Sequence, residues 1–181
     1  LDMAGRYNNL AAAQFLIDKG VSQFSLDESL STAAASGSLE VVQLLLDLGA
    51  NPSFQEPTHG SPLLGAAQYG YLDVVELLLN YGADTRQVYW DEEDSILIET
   101  AFGSTRILAR LIAAGAEVNY QNTDGATPLI YAVLNNRPEN VSLLLENGAD
   151  PNLVDIHGCT ALSIAEEEDF DAIVSILKAA M

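Results

Sequence analysis

Short apolar runs recur along this chain, and each has the spacing of a helix that buries most of its surface. A representative run is Val41-Val42-Gln43-Leu44-Leu45-Leu46, which is followed by a Gly-Ala pair. Such pairs recur at a constant interval of 33 residues: Gly49-Ala50, Gly82-Ala83, Gly115-Ala116 and Gly148-Ala149. Because glycine after an apolar run favours a left-handed helix C-cap, the pattern predicts a series of helices that end at these glycines.

The most regular unit of the chain spans residues 124–152. Gly125 supplies the backbone freedom of a tight turn. Thr127 can cap a helix with its hydroxyl, and Pro128 fits the first helical position, where no N–H is needed. Gly148 ends the second helix. A pair of helices of this size cannot cover its own apolar faces, so the unit needs copies of itself on both sides.

This unit resembles the ankyrin repeat, a helix–turn–helix module with a period of about 33 residues. Thr127-Pro128-Leu129 matches the start of the ankyrin signature, and Ser61-Pro62-Leu63 and Thr160-Ala161-Leu162 stand at multiples of the period from it. The resemblance covers nearly all of the chain. It implies an all-α repeat solenoid of ankyrin type, with helix–turn–helix pairs and β-hairpin-like finger loops.

The same resemblance implies a single domain over residues 1–181 that contains about six copies of the repeat. Their expected bounds are 1–20 (partial), 21–49 (short), 50–82, 83–115, 116–148 and 149–181 (capping).

Several copies depart from the pattern. The second copy is four residues short of the period, which predicts a shortened finger over residues 21–28 before a helix that begins at Ser29. In the fourth copy the Thr-Pro-Leu start is missing, but Asp94 or Ser95 can still cap the first helix, and Glu99 stands where other copies have alanine. In the last copy, the acidic run at residues 166–171 predicts a polar outer face that caps the array.

Charge is the outstanding compositional feature, because 26 Asp and Glu face seven Lys and Arg for a formal net charge of −19. Such a surface disfavours nucleic acid and anionic membranes. Two interpretations stay open: the charge keeps a long exposed array soluble, or it steers a basic partner. No apolar run reaches the length of a membrane-spanning helix. The lone Cys159 excludes an intramolecular disulfide and fits a reducing, cytoplasmic location.

The sequence contains no catalytic constellation, so we expect no enzymatic activity, no cofactor and no metal site. His59 and His157 stand 98 positions apart, about three copies from each other, and cannot share a metal or a proton. Cys159 has no adjacent histidine and is interpreted as a structural thiol. The carboxylates at residues 91–94 lack the alternating ligands and the glycine turn of a calcium loop.

The resemblance implies that partner proteins bind in a groove formed by the finger tips and the exposed positions of the first helices. Aromatic residues concentrate at these positions, and acidic residues flank them, which is the composition of a protein-binding hot spot. In the alternative interpretation, Tyr89 and Trp90 pack between adjacent fingers. The candidate partner-binding residues are Tyr69, Tyr89, Trp90, Asp91, Glu93, Phe102, Thr123, Asp124, Leu134 and Asn135.

The favoured function is a non-enzymatic scaffold, expected to be a monomer, that binds a basic protein segment in this groove. A second hypothesis is an acidic mimic of nucleic acid that blocks a nucleic-acid-binding protein. A third, based on the incomplete first copy, is the repeat segment of a larger enzyme or channel. The resemblance also marks Asn119 and Asn152 as occupying a finger position that is hydroxylated in some eukaryotic members; the alternative is that each asparagine hydrogen-bonds its own turn.

Overall fold

A computed structural model of the chain describes residues 1–55, 60–89 and 93–181. The chain divides into two compact units, Leu1–Asp84 and Thr85–Met181. In both units the described residues form paired helices joined by tight turns, so the predicted all-α repeat architecture is confirmed. The helices of unit 1 are α1 (Asp2–Arg6), α2 (Leu10–Asp18), α3 (Gln23–Ala35), α4 (Leu39–Asp47), α5 (Pro62–Gln68) and α6 (Leu72–Asn80).

Unit 2 begins with a short antiparallel hairpin and continues as three helix pairs. Its elements are β1 (Val88–Tyr89), β2 (Asp94–Ser95), α7 (Ile96–Thr100), α8 (Thr105–Ala113), α9 (Pro128–Leu134), α10 (Pro138–Glu146), α11 (Ala161–Glu167) and α12 (Asp171–Ala180). A second finger contains the bridge between Val154 and Thr160. Both features confirm the hairpin-like fingers that the repeat pattern predicted.

The first helices of unit 1 approach closely because small residues line their contact. α1 packs on α3, and α3 packs on α5. A Cβ built on Gly5 would lie 3.2 Å from the Cβ of Ala33, and one on Gly65 would lie 3.1 Å from the Cβ of Ala35. Both distances are shorter than an ordinary van der Waals contact, so the stack tolerates little extra volume there.

A leucine at one position of the second helices forms the centre of the apolar core of unit 2. In unit 2, α8 packs on α10 and α10 packs on α12. Leu111, Leu144 and Leu177 occupy equivalent positions of these helices and are fully buried. Burial of one such side chain contributes about 2 kcal/mol, so the repeated leucine is a major source of cohesion.

Hydroxyl side chains start the first helices of the copies. Thr127 accepts a hydrogen bond from the amide of Ile130 at 3.2 Å, which confirms the predicted cap. In the irregular fourth copy the cap is Ser95, which accepts from the amide of Ile98 at 3.3 Å. The glycine that was predicted to end α10, Gly148, has a left-handed φ of 86°.

The predicted finger over residues 21–28 is wrong. α3 begins at Gln23, and Ser22 caps it by accepting a hydrogen bond from the amide of Ser25. The extra helical turn buries Leu26, and it also buries Asp27, whose carboxylate accepts the amide of Asn51 at 2.7 Å. The missing finger is therefore replaced by a longer helix that supports the next turn directly.

A buried asparagine compensates for the short α7. Asn140 occupies a position that is valine or isoleucine in the second, third, fourth and sixth copies, and it is almost fully buried. Its Nδ2 donates to the carbonyls of Ala101 at 2.7 Å and Gly103 at 3.3 Å, and its Oδ1 accepts from the Thr105 hydroxyl at 2.6 Å. These bonds satisfy backbone carbonyls that follow the early end of the helix.

Gly125 is expected to be the most sensitive left-handed glycine of unit 2. Its φ is 69°, and a Cβ there would lie 3.1 Å from Cα of Asp155 and 3.2 Å from the backbone nitrogen of Ile156. Gly148 has a similar φ, but a Cβ there would meet no atom within 4 Å. Gly148→Ala should cost about 1–2 kcal/mol of backbone strain, whereas Gly125→Ala should cost roughly 1–3 kcal/mol more through steric overlap.

Chemical denaturation of the two glycine variants measures this difference. Equal losses of unfolding free energy would show that the finger containing Gly125 does not approach the finger containing Asp155 as described.

Candidate functional site

The predicted partner-binding residues divide between the two units. Tyr69 lies in unit 1, where it is exposed as the C-cap of α5. Trp90 and Asp91 lie outside the described residues, as does His59. The remaining candidates lie in unit 2.

Tyr89 is an interior side chain. It is only 2% exposed, and its backbone pairs with Asp94 across the β1–β2 hairpin. Its ring is therefore not available for contact with a partner, in contrast to its inclusion among the candidates. The alternative interpretation, in which Tyr89 packs inside the array, describes its position better.

Unit 2 presents an apolar surface at the ends of α7 and α9. Phe102, just beyond α7, is 38% exposed, and Leu134, the last residue of α9, is 51% exposed. Asn135 is the C-cap of α9 and stands one period after Phe102. Because α7 and α9 pack side by side, the equivalent ends of the two helices face the same edge of unit 2.

Acidic and polar finger residues complete this set. Glu93, Thr123 and Asp124 are all exposed. Glu93 has a left-handed φ of 55°, and the amide of Asp124 is fixed by the Oδ1 of Asn122 at 3.1 Å. We call the six residues together the α7–α9 surface: Glu93, Phe102, Thr123, Asp124, Leu134 and Asn135.

Tyr131, on α9, is a residue that the sequence reasoning missed. Burial raises the pKa of its phenol, and the nearby carboxylates of Asp94, Glu99 and Asp124 raise that pKa further. Its signal in the sequence was a tyrosine one period after Ile98 and one period before Ile164, both of which are buried. A polar aromatic residue at a core position marks a place where the helix face changes from interior to surface.

A second tyrosine, Tyr120, also lies close to several of these carboxylates. Burial raises the pKa of the Tyr120 phenol, and the carboxylates of Glu93, Glu117 and Asp94 add to the effect. Two phenols on different segments therefore lie in the field of overlapping sets of carboxylates. The negative potential beside the α7–α9 surface is local, and it is more than a consequence of the net charge of the chain.

Asp94 is held by the neighbouring finger. It is buried, and its Oδ1 accepts a 2.6 Å hydrogen bond from Nδ2 of Asn122, which is also buried. The Oδ1 of Asn122 in turn accepts the amides of Asp124 and Ala126. One asparagine thus shapes its own turn and binds the carboxylate of the preceding copy, so it positions the acidic side of the surface.

The two asparagines of the finger position differ. Asn119 bonds the following turn, since its Nδ2 donates to the carbonyl of Gly148 and its Oδ1 accepts the amide of Asp150. Asn152 bonds its own turn through Asp150. Hydroxylation of Asn119 or Asn152 stays a prediction.

Cys159 is half-buried, and His157 is exposed in a turn closed by Asp155.

Two further properties concern chemistry and membranes. Among residues 1–55, 60–89 and 93–181, no group of three or more His, Cys, Asp or Glu side chains is arranged to hold a metal ion. Within the same described part of the chain, every helix is too short or too polar to span a bilayer.

Comparison with known families identifies the repeat. The family model described as ankyrin repeats (3 copies) matches residues 1–88. A second model, described as ankyrin repeats (many copies), matches residues 111–165. A comparison with curated proteins found no match to the chain.

The hydrogen bond between Asn122 and Asp94 should contribute more than any other single bond to the stability of the two fingers that contain these residues. Asn122→Ala leaves a buried carboxylate without this donor, and we expect a loss on the order of 3 kcal/mol in the free energy of unfolding. The double variant Asn122→Ala/Asp94→Ala removes both groups, so it should be destabilised less than Asn122→Ala alone. A double-mutant cycle by urea denaturation measures the coupling. Additive single effects would show that the bond contributes nothing.

Tyr131 should make stability depend on alkaline pH. Because its pKa is raised in the folded protein, its contribution to stability is complete below the ordinary tyrosine value of about 10 and is lost as pH rises through the folded pKa. The loss of unfolding free energy between about pH 9 and 11 should therefore be smaller for Tyr131→Phe than for the wild type. Tyr7→Phe, at an exposed position in unit 1, is the control and should match the wild type.

Proposed function

Because the chain belongs to the ankyrin-repeat family, we propose that it is a non-enzymatic scaffold that binds a protein through the α7–α9 surface, and that the segment bound there is basic. The observation that carries this proposal is the coincidence of exposed apolar side chains with the carboxylates that raise the pKa of Tyr131. Tyr69, Trp90 and Asp91 stay candidates for partner binding in their own right.

The apolar part of the surface supplies the contact area. Phe102 and Leu134 extend from the ends of two helices whose other residues are mostly buried, so ordering them on binding costs little backbone entropy. Apolar anchors of this size, once covered by a partner, can each contribute about 2 kcal/mol or more to affinity. The surface is small, so we expect a transient complex with a short peptide segment.

The acidic part of the surface supplies selectivity and speed. Glu93 raises the pKa of Tyr120, Glu99 and Asp124 raise the pKa of Tyr131, and the whole chain carries a formal charge of −19. A positively charged segment is attracted from a distance, whereas an acidic segment or a phosphate backbone is repelled. Rim charges of this kind act mainly on the association rate, so the rate should fall as salt is added.

A fluorescent peptide of alternating lysine and leucine provides a defined probe. We expect it to bind the wild type in fluorescence anisotropy, and we expect a matched peptide with glutamate in place of lysine not to bind. Phe102→Ala and Leu134→Ala should each weaken affinity about tenfold. Leu48→Ala, at an exposed apolar position that follows α4 in unit 1, is the matched control and should bind as the wild type does.

Three results would contradict parts of this proposal. Unchanged affinity in both variants would remove the α7–α9 surface as the site. Equal binding of the basic and acidic peptides would remove the charge preference. If neutralising the acidic run at residues 166–171 abolished binding while Phe102→Ala and Leu134→Ala had no effect, the acidic mimic of nucleic acid would be the better hypothesis.

A further inference from the structure

The turns between the paired helices of the fourth and fifth copies carry a local excess of positive charge. Residues 101–106 contain one basic side chain, Arg106, and no acidic one, and residues 134–139 contain Arg137 and Glu139. Two arginines and one glutamate give these segments a formal charge of +1, in a chain whose formal charge is −19. Both arginine side chains are exposed. We call Arg106 and Arg137 together the basic edge of unit 2.

Arg106 departs from the residue type that other copies have at its position. It lies in the first turn of α8, and the equivalent residues in the first turns of α4, α6 and α10 are Glu40, Asp73 and Glu139. The helix dipole favours a carboxylate in the first turn and disfavours a cation there. The arginine therefore does not stabilise α8 through the dipole, and a contact with a partner gives it a role that helix stability does not.

Hydrogen bonds join the two turns that carry the basic edge. Nδ2 of Asn140 donates to the carbonyl of Ala101 at 2.7 Å, and Oδ1 of Asn140 accepts from the Thr105 hydroxyl at 2.6 Å. Thr105 directly precedes Arg106, and Asn140 lies three residues after Arg137. Both arginines therefore belong to one connected edge of unit 2, at the end of α7 and α9 where the apolar side chains of the α7–α9 surface are exposed.

The α7–α9 surface thus has opposite charges at its two ends. The acidic residues Glu93 and Asp124 precede α7 and α9, whereas Phe102 and Leu134 at the other end are followed by the basic edge. α9 has seven residues, so it is about 10 Å long. An extended peptide rises about 3.3 Å per residue, so about three to five residues reach from the acidic end to the basic end.

We propose that the segment bound by the α7–α9 surface carries charges of both signs: a basic residue beside the fingers, an apolar residue beside Phe102 and Leu134, and an acidic residue that pairs with the basic edge. This inference rests on the proposed function, because it orients the same segment on the same surface. The acidic group suits the site because the planar guanidinium of arginine binds a carboxylate through paired hydrogen bonds. A segment without the acidic residue still binds, but the acidic residue fixes its direction.

Peptides with blocked termini test this polarity in fluorescence anisotropy. The probes are Lys-Lys-Leu-Ala-Leu-Glu-Glu, the reversed peptide Glu-Glu-Leu-Ala-Leu-Lys-Lys, and the same two peptides with glutamine in place of glutamate. The measured quantity is the affinity for a glutamate peptide divided by the affinity for its glutamine counterpart. For at least one direction of the peptide, we expect this ratio to be about fivefold lower in Arg106→Gln/Arg137→Gln than in the wild type, as for the loss of exposed ion pairs.

Arg106→Glu is a second variant that the fold should tolerate, because three other copies have an acidic residue at the equivalent position. It should lower the ratio further, since like charges then face each other, and thermal melts verify that it is folded. The matched control is Arg6→Gln/Lys19→Gln, which removes the same amount of charge at exposed positions in unit 1 and should keep the wild-type ratio.

The outcomes separate this inference from the proposed function. If the ratio stays unchanged in both arginine variants while Phe102→Ala and Leu134→Ala still weaken binding of the glutamine peptides, the charge polarity is overturned and the proposed function stands. A ratio that falls equally in the unit 1 control would also overturn the polarity, because the effect would then come from net charge. If the wild type binds none of the four peptides, the proposed function and this inference are both overturned.

Discussion

Each helix pair of this protein depends on contact with the next one, because a pair of helices with five to thirteen residues each has two apolar faces and no interior of its own. Small residues let the first helices of unit 1 approach to the limit of van der Waals contact, as at Gly5 and Gly65. A fully buried leucine then joins the second helices. The local signals, a hydroxyl at the start and a left-handed glycine at the end, set the length of each helix, but the neighbour supplies most of the stabilisation.

This dependence explains why so much of the fold could be predicted from the sequence. A contact that repeats every 33 residues leaves the same residue types at the same spacing, so a cap such as Thr127 or a terminator such as Gly148 can be recognised several times over. The segment at residues 23–28 was predicted wrongly because it occurs once. Its helix depends on Ser22 as a cap and on the bond between Asp27 and the amide of Asn51, and neither leaves a periodic trace.

The candidate site was predictable only in part for a related reason. Periodicity identifies which positions lie at a helix end, and Phe102, Leu134 and Asn135 are exposed there as expected. It does not determine which side of an irregular hairpin a residue faces, so Tyr89 was taken for a surface residue although it is buried. Tyr131 was overlooked because its environment comes from carboxylates on three separate segments. The approach of these carboxylates to Tyr131 is set by the folded structure and cannot be predicted from the spacing of residues in the sequence.

The buried asparagines of the fifth copy limit how the copies of this array could be exchanged in evolution. Asn122 bonds Asp94, and Asn140 bonds the carbonyls of Ala101 and Gly103, so both depend on the irregular fourth copy. Repeat arrays are often treated as interchangeable modules that can be duplicated, deleted or recombined one at a time. Here a recombination that moved either copy alone would leave buried amides without acceptors. The fourth and fifth copies would therefore have to be exchanged together, because a boundary between them would separate these buried hydrogen-bond partners.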